Sequence, residues 1–323
     1  MGDQFDFFAS DENKPNEASA SLKPKGDRPS AANEEAMIRH LQATGRYRIL
    51  TRIEHRPIAL KLRPEFVMRG VVVDVETTGL DYRIDEIIEI GAIAFTFDPS
   101  GRIGDVTGVY AGLQQPMKPI PADITRLTGI TDEMVAGQLI DTASLRMLVD
   151  PADLVIAHKA SFDRPFCEAF SPAFSRKAWA CSASEIDWST RGIEGTKLAY
   201  LLAQHGLFHE GHRALDDCFA LLEVLAADWN GTQLPAFAEL YAASQRSLMR
   251  VFAEHSPFDM KERLRARGYR WTDGSDGQPK SWWIDVTEEM LEDELKYLRS
   301  EIYCWDEAEP LVSRLTAFER YRS

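Results

Sequence analysis

The chain has 323 residues, 44% of them hydrophobic, with 37 basic and 51 acidic side chains and a formal net charge of −14. That suffices for one sizeable core and a smaller module, and the acidic balance excludes wholesale nonspecific attraction to nucleic acid, leaving any such contact to local sites. No apolar run reaches the ~18 residues of a membrane span, and the acidic, polar start lacks the order of an export signal, so no membrane partner and a cytoplasmic location are expected.

Residues 1–33 are rich in Ser, Ala, Pro, Asn, Lys and Glu without periodicity, the composition of a disordered tail. Phe5, Phe7 and Phe8 stand out there, because exposed aromatics need a receiver. Over 34–69, EEAMIRHLQATG has a short amphipathic helix pattern and YRILTRI alternates like a strand, a helix/strand lead-in.

A mixed α/β domain is expected over 70–230. VVVDVETTGL, EIIEIGAIAFTF and GVYAGLQQP read as three strands of an antiparallel meander. ADITRLTGITDEMVAG then reads as helical turns, DLVIAH as a buried strand and FDRPFCEAF as a helix with Phe162, Phe166 and Phe170 four apart. KAWACSA is a further strand, GTKLAYLLAQHG a helix ended by Gly206, and RALDDCFALLEVLAADW a helix with Ala214, Cys218, Leu221 and Leu225 on one face. The alternation defines a mixed sheet flanked by helices. Over 231–323, a linking helix leads to LRARGYRWTDGSDGQPKSWWIDV, two aromatic strands around a turn marked by Asp273-Gly274 and Asp276-Gly277, and then an acidic helix, together a small α+β module. Cys167, Cys181, Cys218 and Cys304 form no CxxC pair and read as reduced structural thiols.

Asp74 and Glu76 sit two apart in an otherwise valine-rich strand, so both leave the same face. Like charges there repel unless they face water or a cation, and their oxygens suit Mg²⁺ or Mn²⁺. Asp163 follows the buried strand LVIA at a helix start, and Asp217 borders the apolar face of its helix while Asp216 turns farther out. His212, five residues before Asp217, stands at the entry to that helix. Four acids from three segments fit a site for two divalent cations that clamps a phosphoryl displacement, with an imidazole to take a proton from water. That chemistry is phosphodiester hydrolysis. His205, His209, His212 and Cys218 also cluster in sequence, but Gly206 and Gly211 break the register that would align them for zinc. Tyr269, Arg270, Trp271, Trp282 and Trp283 with Arg265, Arg267 and Lys280 read either as hairpin core or as a surface that stacks bases and pairs phosphates.

DVETTG, HKASFD and HRALDD resemble the three exonuclease motifs of the DEDD superfamily, in its histidine-containing branch. EIIEIGAI and PIPADITRLTGITDEMV resemble the segments between the first two motifs in bacterial members. The likeness runs from about Gly70 to Trp229 and looks closest to DNA polymerase III epsilon subunits and epsilon-like exonucleases. It implies an RNase H-like fold, Asp74, Glu76, Asp163 and Asp217 as ligands of two divalent cations (Mg²⁺ or Mn²⁺), and His212 as general base. It also implies that Thr77, Thr78, Gly79 and Leu80 hold the terminal nucleotide, with Phe162 nearby.

Many relatives carry Asn where this chain has Lys159, which either contacts a phosphate or points into water. The implied activity is 3′-to-5′ excision of nucleoside 5′-monophosphates from single-stranded or frayed DNA ends, in proofreading, repair or turnover. An exoribonuclease and a non-catalytic end-binding module are the alternatives. The long lead-in and C-terminal module suit an independent or accessory exonuclease better than the replicative proofreader, with a DNA polymerase as a further partner. QFDFF, through Gln4, Phe5, Phe7 and Phe8, resembles the bacterial sliding-clamp pentapeptide with both leucines replaced by Phe.

Overall fold

The computed structural model describes residues 31–229, 231, 234–274 and 277–322. They fall into two units, Met1–Ile49 and Leu50–Ser323. In the first, α1 (Ala31–Ala43) is the expected lead-in helix, beginning three residues ahead of its predicted start. The other residues of the expected tail, including Gln4, Phe5, Phe7 and Phe8, lie outside the described residues.

The second unit opens with β1 (Thr51–Arg52), so the strand expected over YRILTRI shrinks to two residues. β2 (Met68–Thr77), β3 (Ile87–Phe97) and β4 (Ile103–Leu113) form the antiparallel meander, in register from Met68 opposite Phe97 and from Glu89 opposite Leu113. Three helices follow, α2 (Ala122–Thr128), α3 (Asp132–Val135) and α4 (Thr142–Val149), the last not foreseen. β5 (Leu154–Ala157) then joins β2 in parallel, α5 (Ala160–Phe170) crosses over, and β6 (Trp179–Cys181) pairs in parallel with β5. The sheet order is β4-β3-β2-β5-β6, a mixed sheet flanked by helices. α6 (Ser182–Glu185), α7 (Leu198–Gln204), β7 (Leu207–Phe208, parallel to β1) and α8 (Ala214–Ala226) complete this part.

The valine run of β2 is apolar on both faces because both are covered, so it does not alternate. Its pleat still sorts the side chains. Val72 joins the core built with Leu201, Leu202, Cys218, Leu222 and Leu225 of α7 and α8, whereas Val71, Val73 and Val75 join the core built with Leu145, Val149, Phe166 and Cys167 of α4 and α5. Asp74 and Glu76 share the parity of Val72 and therefore face α8.

After α9 (Ala236–Ser244) the chain enters a second sheet. It contains β8 (Leu248–Ala253), α10 (Lys261–Ala266), the expected hairpin β9 (Arg270–Thr272) and β10 (Ser281–Thr287), α11 (Leu291–Tyr297) and β11 (Leu311–Leu315). The order is β11-β8-β10-β9, antiparallel throughout, so β8 and β11, both unforeseen, extend the hairpin on its β10 side. In the turn, Gly274 and Gly277 take φ of 81° and 80°, which glycine adopts without strain. Val251, Ala253, Leu264, Tyr269, Leu295 and Leu298 form its core. All four cysteines are free thiols, and among the described residues no helix is long and apolar enough to cross a membrane.

The end of the chain returns to the five-stranded sheet. Arg164 of α5 is fully buried and donates to the carbonyls of Arg320 at 2.5 Å, Phe318 at 2.7 Å and Ala317 at 3.4 Å, and to the Glu168 carboxylate at 2.6 Å. The Trp179 N–H donates to the Ala317 carbonyl at 2.7 Å, which ties the free side of β6 to the same strap. Arg164→Ala strands the Arg320 and Phe318 carbonyls and takes from Glu168 its closest cation, a change expected to destabilise the fold by about 3–5 kcal/mol. Thermal denaturation reads this as a fall in Tm of roughly 10 °C, and a fall below about 2 °C would contradict the role given to the strap.

Candidate active site

β5 pairs with β2 only as far as Ile156 opposite Val72, so Asp74 and Glu76 run on past the point where the parallel ladder ends. Asp163, near the start of α5, is 2% exposed and accepts the Val75 backbone N–H that the ladder leaves open. Gly91 stands opposite Asp74 on β3. A Cβ at Gly91 would lie 2.4 Å from the Ala214 carbonyl carbon and 2.5 Å from the Leu215 nitrogen, so only glycine lets the first turn of α8 rest on the sheet. That approach delivers Asp217, one turn into α8. Carboxylate oxygens of Asp74, Glu76 and Asp217 all lie within 4.8 Å of one another.

Electrostatics follow from this geometry. Burial first, then the charges of Asp163, Asp217, Glu76 and Glu89, push the Asp74 carboxyl well above the ordinary range. Glu76 is pushed up to about 8 by burial and by Asp217, Glu89 and Asp163, against a lowering by Arg213. Asp163 rises to about 7, mainly through burial, with its backbone hydrogen bonds and Lys159 pulling it down. A converging, oxygen-only set that repels itself in this way fits hard divalent cations.

Two residues support α8, one unmarked in the sequence and one read there only in the zinc cluster. Glu89, 3% exposed and opposite Glu76, accepts the Ala214 N–H at 3.0 Å and pairs with Arg213 at 2.8 Å, so it satisfies the open start of α8 from the neighbouring strand. Its visible signal was that it is the single acid of β3. The second is His209, whose side chain is 3% exposed and whose Nε2 lies 2.8 Å from Oδ1 of Asp217. His212 is exposed, with φ of 67°, on the loop that leads into α8. The Arg213 backbone N–H meets the other Asp217 oxygen at 3.1 Å.

The Thr77–Leu80 turn is braced from below. Thr77 is buried and donates from Oγ1 to the Gly79 carbonyl at 2.5 Å, Thr78 N–H donates to Glu86, and Asp85 accepts the Asp81 N–H at 2.9 Å. The Asp85 carboxyl sits where a Gly79 Cβ would be, 2.4 Å away, so the turn closes over a side chain the sequence did not mark. Leu80 is left 80% exposed. Phe162 is half-buried against Phe166 at a ring separation of 5.0 Å. Lys159 is the residue before α5, and its carbonyl accepts the Phe162 and Asp163 N–H groups.

The alternatives sort differently. Among the described residues the acids form the metal-type cluster, while His205 stacks edge-on against Trp229 and Cys218 is buried in the core, so the zinc arrangement does not form. The C-terminal aromatics also divide. Tyr269 is buried with its hydroxyl on Glu294, and Trp282 packs on the module's core, whereas Trp283 and Arg270 take the opposite face.

The profile of the RNase T exonuclease family matches residues 71–225. The DNA polymerase III subunit epsilon of Treponema pallidum is 31% identical over 160 residues, which cover 47% of this chain and 72% of that protein. The chain belongs to this exonuclease family, and its mixed sheet with flanking helices is the RNase H-like fold of a nuclease, a hydrolase. A DNA polymerase III of PolC type from Thermotoga maritima is 31% identical over 172 residues, 48% of this chain, and the chain spans only 11% of that polymerase's length. A structure of E. coli Exonuclease I in complex with a dA16 oligonucleotide aligns over 79% of this chain and 77% of its own at 14% identity, with a TM-score of 0.47.

The raised carboxyls make stability depend on pH and on cations. Glu76 and Asp163 bind protons more tightly folded than unfolded, so their contribution is fully present below the unfolded values of 4.5 and 3.8 and is lost as pH rises through about 7 and about 8. In EDTA, Tm is expected to fall across that window. Mn²⁺ at about 100 times its Kd adds roughly 2.7 kcal/mol and raises Tm more at pH 8 than at pH 6, because it binds the ionised set. A Tm that climbs through the window in EDTA, or that ignores Mn²⁺, contradicts the cluster.

Proposed function

We propose that this chain is a metal-dependent 3′-to-5′ exonuclease of the cytoplasm that removes nucleoside 5′-monophosphates from single-stranded or frayed DNA ends. The observation that carries the reading is the convergence of Asp74, Glu76 and Asp217 oxygens within 4.8 Å, with buried Asp163 beside them. Asp74, Glu76, Asp163 and Asp217 would hold two divalent cations, Mg²⁺ or Mn²⁺. When bound, these supply Lewis acidity for the charge that develops on the phosphoryl group and on the leaving 3′ oxygen.

The chain's own groups do the rest. The braced Thr77–Gly79 backbone receives the terminal nucleotide, and exposed Leu80 packs against its base, with Phe162 at the edge. Lys159 offers its ammonium to the backbone phosphate. His212, on the loop before α8, takes the proton of the attacking water at its imidazole, while His209 fixes the orientation of Asp217. Water adds at phosphorus, the bond to the 3′ oxygen breaks, and a shortened strand with a 3′-hydroxyl leaves together with the mononucleotide.

Full-length protein with Mn²⁺ or Mg²⁺ is expected to shorten 5′-labelled DNA stepwise from its 3′ end. Asp74→Asn is expected to lower the rate at least about 100-fold, since a ligand matters more than its supporting residues. A matched RNA strand separates deoxyribonuclease from ribonuclease. No cleavage by the parent protein, or a rate that survives Asp74→Asn, would overturn the reading.

A further inference from the structure

β10 alternates, sending Trp282, Ile284 and Val286 into the core of the small module and Trp283 and Asp285 to the other face. That outer face looks across a cleft of about 410 Å³ at the start of α5. Lys159 and Ser161 line one wall and Arg250, Arg270 and Trp283 the other, with Arg322 of the C-terminal strap between them. Arg250 stacks on the Trp283 ring at 3.9 Å, and Arg270, directly across from Trp283 in the β9–β10 register, lies 5.5 Å from the same ring. Asp285 is the cleft's acid, and Arg250 neutralises it through two hydrogen bonds at 2.7 and 2.8 Å. Arg320, also in the lining, is paired with Glu185. Among the described residues Lys159 and Arg270 stand in no ion pair, on a chain of net charge −14.

One wall of the cleft is the start of α5, the helix that carries Asp163. Lys159 lies one helical turn before Asp163 and its charge reaches that carboxyl. Cations left over for phosphates, interleaved with a tryptophan face and guanidinium planes, match what unpaired nucleotides need, whereas a paired duplex keeps its base faces covered.

We infer that this cleft is the track for the single strand on the 5′ side of the terminal nucleotide, with Lys159 and Arg270 on phosphates and Trp283 with Arg250 as the stacking platform. The inference rests on the nuclease reading and extends it, by giving the small module the task of holding the strand whose 3′ end lies among the acids. It makes affinity depend on strand length, because a strand too short to leave the acids never reaches Arg270.

The test uses the full chain carrying Asp74→Asn, so that the probe survives, and fluorescein-labelled oligothymidylates of about 20 and about 4 nucleotides, a span chosen to bracket single-strand site sizes. Arg270 is exposed, so Arg270→Glu and Arg270→Ala are expected to keep the parent's Tm. Arg270→Glu is expected to weaken binding of the longer strand about tenfold and to reduce its log–log salt slope by about 0.7, with a much smaller change for the short strand. Trp283→Ala weakens the longer strand by about fivefold or more with an unaltered salt slope. Unchanged affinity and slope in both Arg270 variants, or an equal loss on both lengths, would overturn the inference. Cleavage by the parent protein decides the nuclease reading separately, so the two fail by different results.

Discussion

Repulsion among carboxylates is the constraint on which this structure depends. Two unit charges 4 Å apart interact by about 4 kcal/mol at an effective dielectric of 20, and Asp74, Glu76 and Asp217 meet at comparable distances with Asp163 close behind. An exposed ion pair returns only about 0–1 kcal/mol. Arg213, half-exposed and already engaged by Glu89, therefore does not offset such a cluster. The acids relieve it by holding protons, as their raised carboxyls indicate, or by sharing cations. The fold does not avoid the conflict; it enforces it, since Gly91 admits α8 to the sheet and Glu89 fastens its first turn there.

The same logic of faces organises the small module. Antiparallel pairing alternates β10 between a packed side and an open side, so adjacent tryptophans have different fates. Arg164, the residue after Asp163, then fixes the terminal strap to the helix that carries this acid. The strap and the helix that carries Asp163 thus share one buried side chain.

Much of this was legible in the sequence. The β-branched runs, the four-residue spacing of Phe162, Phe166 and Phe170 and the Asp-Gly turns yielded the meander, α5 and the β9–β10 hairpin, because local period and turn chemistry suffice for them. Asp74 and Glu76 were visible as acids of one parity in a valine strand. What escaped depends on partners distant in sequence. Glu89 becomes the cap of α8 only through contact with Ala214, and His209 reaches Asp217 only through the course of the β7–α8 loop. β8 ends in three successive buried residues, Val251, Phe252 and Ala253, and β11 is five residues of mixed character, so neither shows the alternation that marks a strand. The strand expected over YRILTRI kept two residues, since β7 offers only Leu207 and Phe208 for pairing.

Anomalous diffraction from crystals of the full chain grown with Mn²⁺ tests the central claim most directly. The account predicts density for manganese enclosed by carboxylate oxygens of Asp74, Glu76 and Asp217, with Asp163 adjoining, and its loss in crystals of Asp217→Asn. Manganese bound elsewhere while these acids stay bare, or an undiminished peak in Asp217→Asn, would contradict it.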